Sequence, residues 1–122
     1  MIRLFIQTKK IGIFGEYSVP VKELNTSIAY WETIGFETLS VNEQPYPWSI
    51  ISDGINVIGL HQTIEFNRQA ITYFAPDMKR RIENLKNDGL GDNINGFTGS
   101  GGAENNAVLT TMENQKFFLF SF

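Results

Sequence analysis

Residues 16–36 read EYSVPVKELNTSIAYWETIGF, and residues 70–90 read AITYFAPDMKRRIENLKNDGL. The two stretches align without a gap at an offset of 54. Glu23 stands against Asp77, Leu24 against Met78, Ile28 against Ile82, Trp31 against Leu85, and Gly35-Phe36 against Gly89-Leu90. Each copy runs from a strand-like segment through an acidic-apolar step into an amphipathic helix and a closing Gly. A pattern repeated at fixed spacing is the signature of a duplicated supersecondary unit, so it fixes architecture before any single residue is weighed.

The helices follow from spacing. Leu24, Ile28, Trp31 and Gly35 fall at steps of four, three and four, and Met78, Ile82, Leu85 and Gly89 repeat those steps. One apolar stripe per helix is thereby set against a core. Asn25 or Thr26 is expected to cap the first helix, Pro76 and Asp77 suit the start of the second, and Gly35 and Gly89 stand where left-handed caps end them.

Strand signals surround these helices. Ile13–Val21 precedes the first, and Glu37–Val41, Trp48–Ser52 and Ile55–His61 follow it, with Ser52-Asp53-Gly54 as a tight turn. Ala70–Ala75 precedes the second helix. After it come Asn93–Thr98, Ala107–Met112 and Lys116–Phe122, with Glu113–Gln115 turning between the last two. Ile2–Ile6 reads as an added edge strand, and residues 99–106, rich in Gly and Asn, as a loop. No helix start follows that loop, which argues against a phosphate cradle.

Length and composition bound the function. The chain has 122 residues, 42% of them hydrophobic and ten of them Phe, which suits one domain with a real core. With 10 Lys+Arg against 13 Asp+Glu it lacks the basic stripe that nucleic acid requires. It has no Cys, which excludes disulfides, thiolate metal sites and cysteine nucleophiles, and fits a cytoplasmic location. The opening apolar run is too short for a signal peptide, and no stretch is long enough to span a membrane. No Gly-x-Ser-x-Gly elbow offers a serine nucleophile.

The run Val19-Pro20-Val21-Lys22-Glu23-Leu24, then Ser27, Tyr30-Trp31 and Ile34-Gly35-Phe36, resembles the first module of the vicinal oxygen chelate superfamily. That superfamily includes glyoxalase I, bleomycin-resistance proteins, fosfomycin-resistance enzymes and extradiol dioxygenases. Ser52-Asp53-Gly54 through Ile58-Gly59-Leu60-His61 is similar to the third and fourth strands of such a module. The resemblance implies an α+β fold in one domain over residues 1–122. It has two βαβββ modules, at about 13–62 and 69–122, whose curled mixed sheets surround a cup-shaped cavity with helices on the outer faces. It also implies a small-molecule ligand and a homodimer.

Enzymes of the superfamily hold one divalent metal with about four His, Glu or Gln side chains, which presents open positions to vicinal substrate oxygens. Carried over, those positions are Glu16, Gly59, Ala70 and Leu119, and only Glu16 has a donor. His61, two residues beyond Gly59, shares its sheet face and is the one His in the chain. Glu16 and His61 are therefore the candidate catalytic residues and the candidate, incomplete metal ligands. Alternation adds Phe14, Ser18, Val57, Thr72, Phe74, Leu119 and Ser121 to the cavity lining. Trp48 stands at its rim after Tyr46-Pro47, or else fills core or a dimer interface. The opposite faces, with Val19, Ile58, Leu60, Ile71, Tyr73, Phe118 and Phe120, are expected under the helices.

Three readings stay open: a ligand-binding protein with no resident cofactor, a metal-dependent lyase, isomerase or dioxygenase with a rearranged site, and a non-catalytic dimeric interaction module.

Overall fold

The computed structural model describes residues 7–8, 10–96 and 105–121. The expected strand Ile2–Ile6, most of the 99–106 loop and the last residue lie outside them. The elements are β1 (Gln7–Thr8), β2 (Gly12–Pro20), α1 (Leu24–Thr33), β3 (Glu37–Asn42), β4 (Trp48–Ser52), β5 (Val57–His61), β6 (Ala70–Ala75), α2 (Met78–Leu85), β7 (Ile94–Asn95), β8 (Ala107–Thr110) and β9 (Lys116–Ser121). This is the duplicated strand, helix and three strands that the repeat predicts. Within each copy the strand order is the same: β3-β4-β5-β2 in the first and β7-β8-β9-β6 in the second.

The chain forms two compact units, Glu16–Ala70 and Met1–Gly15 with Ile71–Phe122. In the first, β2 pairs parallel to β5, with Ser18 opposite Gly59 and Pro20 opposite His61. The hairpin β4–β5 sets Trp48 opposite His61. Its loop is the four residues Asp53–Asn56 rather than a two-residue turn, and the Asp53 carboxylate accepts from the N–H groups of Ile55 and Asn56. Such side-chain-to-backbone bonding makes Asp a turn residue.

Helix α1 covers one face of this sheet. Leu24 packs with Ile51, Ile58 and Leu60, and Val19, Ile28, Trp31 and Phe36 close around them. Each fully buried aliphatic side chain of this kind contributes about 1.5–3 kcal/mol. The helix ends in a Schellman motif. Gly35 N–H donates to the Glu32 carbonyl, and Phe36 N–H donates to the Trp31 carbonyl. Gly35 has φ +104°. The Phe36 and Trp31 rings meet edge to face at 5.0 Å, the apolar contact that accompanies this cap. At the other end the expected cap is replaced. Glu23, in extended backbone, accepts from Asn25 and Thr26 N–H, while Gln62 Oε1 accepts from Leu24 N–H.

In the second unit Met78, Ile82 and Leu85 of α2 pack on Ala75, Ile94, Ala107 and Leu119, with Tyr73, Leu109 and Phe117 at the margin. The last strand is thus turned over relative to the expectation. Leu119 and Phe117 face the helix, while Phe120 stacks on Phe74 at 6.0 Å and meets Phe118 edge to face. The connection before β8 is longer than its counterpart before β4, so the offset of 54 does not extend to β9. At the start of α2, Asp77 makes no side-chain cap bond. Its carboxylate instead pairs with Arg80 and Arg81.

Gly35→Ala forces a left-handed alanine and lowers stability by about 1–2 kcal/mol in urea denaturation. Gly91→Ala, where φ is −56° and the space is open, is expected to stay within about 0.5 kcal/mol. The hydrogen bond from Arg81, aided by Arg80, holds the Asp77 carboxyl below its ordinary value of 3.8. A carboxyl lowered by folding adds stability above its unfolded value and loses it as pH falls through the folded one. Asp77→Asn should therefore flatten the acid limb of a plot of urea midpoint against pH below about pH 4, and leave its shape above about pH 5 unchanged.

Candidate functional site

On the face of the first unit opposite α1, alternation along β2 and β5 places Glu16, Ser18, Gly59 and His61 together. Glu16 is buried, with 8% of its surface exposed. A buried carboxylate needs hydrogen-bond partners to offset lost hydration. Glu16 Oε2 accepts from Ser18 Oγ at 2.7 Å and contacts His61 Nε2 at 2.6 Å. On the far side of the imidazole, Nδ1 lies 2.9 Å from Tyr46 Oη. The result is one hydrogen-bonded chain: Tyr46, His61, Glu16, Ser18.

Burial, with the charges of Glu65 and Glu16, pushes the Tyr46 phenol up to about 12. A carboxylate oxygen only accepts, so the Nε2–H of His61 is the donor of the 2.6 Å bond to Glu16. No buried side-chain nitrogen or oxygen among the described residues lacks a partner.

Aromatic rings fix the imidazole in place. Trp48 stacks on it at 5.9 Å and 9°. Tyr46 and Phe66 meet its edges at 5.7 and 5.8 Å. Trp48 is itself held by a 2.8 Å bond from its indole N–H to the Gln44 carbonyl. The β4–β5 register creates this stack by setting Trp48 opposite His61. Of the two alternatives for Trp48, ligand rim or buried filler, its observed partner is the histidine.

Gly59 has a second meaning. A Cβ added there would overlap the Glu16 carboxylate. The position that carries a metal ligand in the resembling enzymes is here the space into which the carboxylate lies. Ala70 also offers no donor, and the turned-over last strand replaces Leu119 at the fourth position by Phe118 or Phe120. Among the described residues, no group of three or more His, Cys, Asp or Glu side chains could hold a metal ion. A four-ligand divalent site needs more donors than Glu16 and His61, and these two are already bonded to each other. The residues present do not fit that cofactor.

The other expected lining residues separate. Val57 is half-buried on β5 opposite Ser52, outside the hydrogen-bonded chain. In the second unit Phe14 meets Tyr73 edge to face at 6.0 Å, Thr72 is buried, and Phe74 stacks on Phe120. Leu119 lies in the core under α2 and Ser121 is exposed, so neither belongs to the face with Phe74. Tyr46 and Phe66 sit in irregular segments, where alternation gives no orientation. The pairing of Trp48 with His61 was accessible from the hairpin, had its loop been taken as four residues.

An open depression of about 650 Å³ is lined by Tyr46, Val21, Pro45 and Ile64 together with Lys22, Gln62, Thr63 and Glu65.

No family model and no curated protein matches the sequence. Solved structures do. A glyoxalase/bleomycin resistance protein/dioxygenase superfamily member from Vibrio splendidus 12B01 superposes with a TM-score of 0.62 at 12% identity, covering 89% of this chain and 99% of that one. A hypothetical protein from Bacillus halodurans C-125 superposes with a TM-score of 0.61 at 14% identity, covering 89% and 93%. The chain has the α+β vicinal oxygen chelate fold. No helix among the described residues is long and apolar enough to cross a membrane.

The close approach at Gly59 gives a direct prediction. Gly59→Ala displaces the carboxylate and costs about 2–3 kcal/mol in chemical denaturation. In a Glu16→Ala background the same change costs less than about 1 kcal/mol, since nothing remains to be displaced. Equal costs in the two backgrounds would show that the methyl group meets something other than the carboxylate.

Proposed function

We propose that this protein binds a small, partly apolar organic ligand without the four-ligand metal of the enzymes that share its fold. The observation that carries the reading is the Tyr46–His61–Glu16–Ser18 chain, in which the donors left from a chelating site are bonded to protein partners. The apolar residues lining the depression support it, because ligand sites combine such walls with a few placed polar groups. Lys22 and Glu65 supply polar contacts, and the ring of Tyr46 offers a stacking surface. Fold similarity at this level of identity speaks to architecture and leaves function to the site.

The test joins metal analysis with a binding screen. Purified protein is expected to carry no stoichiometric divalent metal. A panel of small aromatic compounds should include members that saturate a change in Trp48 fluorescence, assigned by its loss in Trp48→Phe. A ligand at one hundred times its Kd stabilises the native state by about 2.7 kcal/mol, a readable rise in Tm. One tightly bound metal per chain, lost on Glu16→Ala or His61→Ala, would overturn the proposal in favour of a rearranged metal enzyme.

A further inference from the structure

We propose that the depression selects small organic monocarboxylates with an apolar body, and that Lys22, Gln62 and Thr63 are the donors that read the carboxylate. The inference rests on the ligand-binding reading above and names the chemical class of the ligand.

Gln62 is an anchored donor. It lines the depression and is half-buried. Its Oε1 accepts at 2.8 Å from the N–H of Leu24, the first residue of α1. A backbone N–H only donates, so this bond fixes which end of the amide is oxygen and which is nitrogen. The nitrogen has no hydrogen-bond partner among the described residues, and no buried side-chain nitrogen among them lacks one. Nε2 is therefore open to solvent, with two N–H groups to offer from a side chain tied to a helix end. A group ordered in advance gives up little freedom on binding.

Two further lining residues are donors. Thr63 Oγ1 already accepts from the N–H of Glu65 at 3.1 Å, and its O–H is left to donate. Lys22 is exposed and makes no ion pair among the described residues, unlike Lys10, Arg80 and Arg81, which pair with Asp88 and Asp77. The carboxylate next to it in sequence, Glu23, is engaged in the α1 cap with Asn25 and Thr26. One ammonium and two neutral donors complement an acceptor group with a single negative charge.

Glu65 narrows the class further. Its carboxylate also lines the depression and opposes a second negative charge, which disfavours phosphates and dicarboxylates. Among the described residues no Arg lines the depression to give the two-pronged grip suited to a phosphate. A carboxylic acid is ionised at neutral pH and carries one charge. Val21, Pro45, Ile64 and the ring of Tyr46 offer apolar surface to the rest of the ligand.

The probes are 2-naphthoate and 2-naphthamide, which share a ring system and differ in charge at one group. Each is titrated into the full chain by calorimetry. The wild-type protein is expected to bind the carboxylate about tenfold or more tightly than the amide. Lys22→Gln should cut that preference at least about threefold and leave 2-naphthamide affinity unchanged. Gln62→Glu keeps an oxygen for the Leu24 N–H and replaces the Nε2 donors by a second carboxylate oxygen. It should bind 2-naphthoate more weakly than 2-naphthamide, with circular dichroism confirming the fold. Lys22→Gln, at an exposed position, decides the matter if Gln62→Glu does not fold. Equal affinity of the wild type for the two probes, or a preference unchanged in either folded variant, would overturn the carboxylate assignment and leave the binding reading standing. Absence of binding by both probes would also overturn it, while neutral aromatic compounds in the wider panel decide the binding reading separately.

Discussion

The 2.6 Å contact between Glu16 and His61 organises the face of the sheet on which it lies. A carboxylate buried to 8% exposure is costly unless its lone pairs are used, and an imidazole with Ser18 uses them. Several neighbouring choices follow from that requirement. Residue 59 must lack a side chain, because the carboxylate occupies the space of its Cβ. The loop before β4 must bring a hydroxyl to Nδ1, and Tyr46 does so. Trp48 must stand opposite His61, and the four-residue hairpin loop sets that register.

The same contact separates this chain from the chemistry its fold commonly hosts. A chelating site converges several donors on a cation and leaves positions open to substrate. Here one carboxylate and one imidazole converge on each other, and glycine, alanine and phenylalanine stand where further donors would be. The second copy keeps the helix and strand order of the first but has no counterpart to the Glu16–His61 pair. Duplication preserved the packing pattern, which depends on apolar spacing, more closely than the polar edge, which depends on single residues.

Much of the fold was legible because it rests on periodicity. The stripes Leu24-Ile28-Trp31 and Met78-Ile82-Leu85 pack under the helices, with Ile28 and Trp31 half-buried, and Gly35 and Gly89 have positive φ where the helices end. Glu16 and His61 were legible as neighbours because strand alternation carries them to one face. What was not legible depended on irregular backbone. Tyr46 and Phe66 lie outside regular elements. Glu23 capped α1 in place of Asn25 or Thr26, since an extended conformation at residue 23 put its carboxylate within reach of two N–H groups. The face of β9 was reversed because the connection before it does not follow the repeat, and one residue of register turns every side chain over.

Because His61 is the one histidine in the chain, its ring nitrogens can be observed by ¹⁵N NMR without ambiguity. The account predicts an Nε2–H held in a hydrogen bond to Glu16, with neither ring-nitrogen resonance moved by one equivalent of zinc. A metal-shifted Nε2 resonance, or the averaged tautomer of a free imidazole, would contradict it.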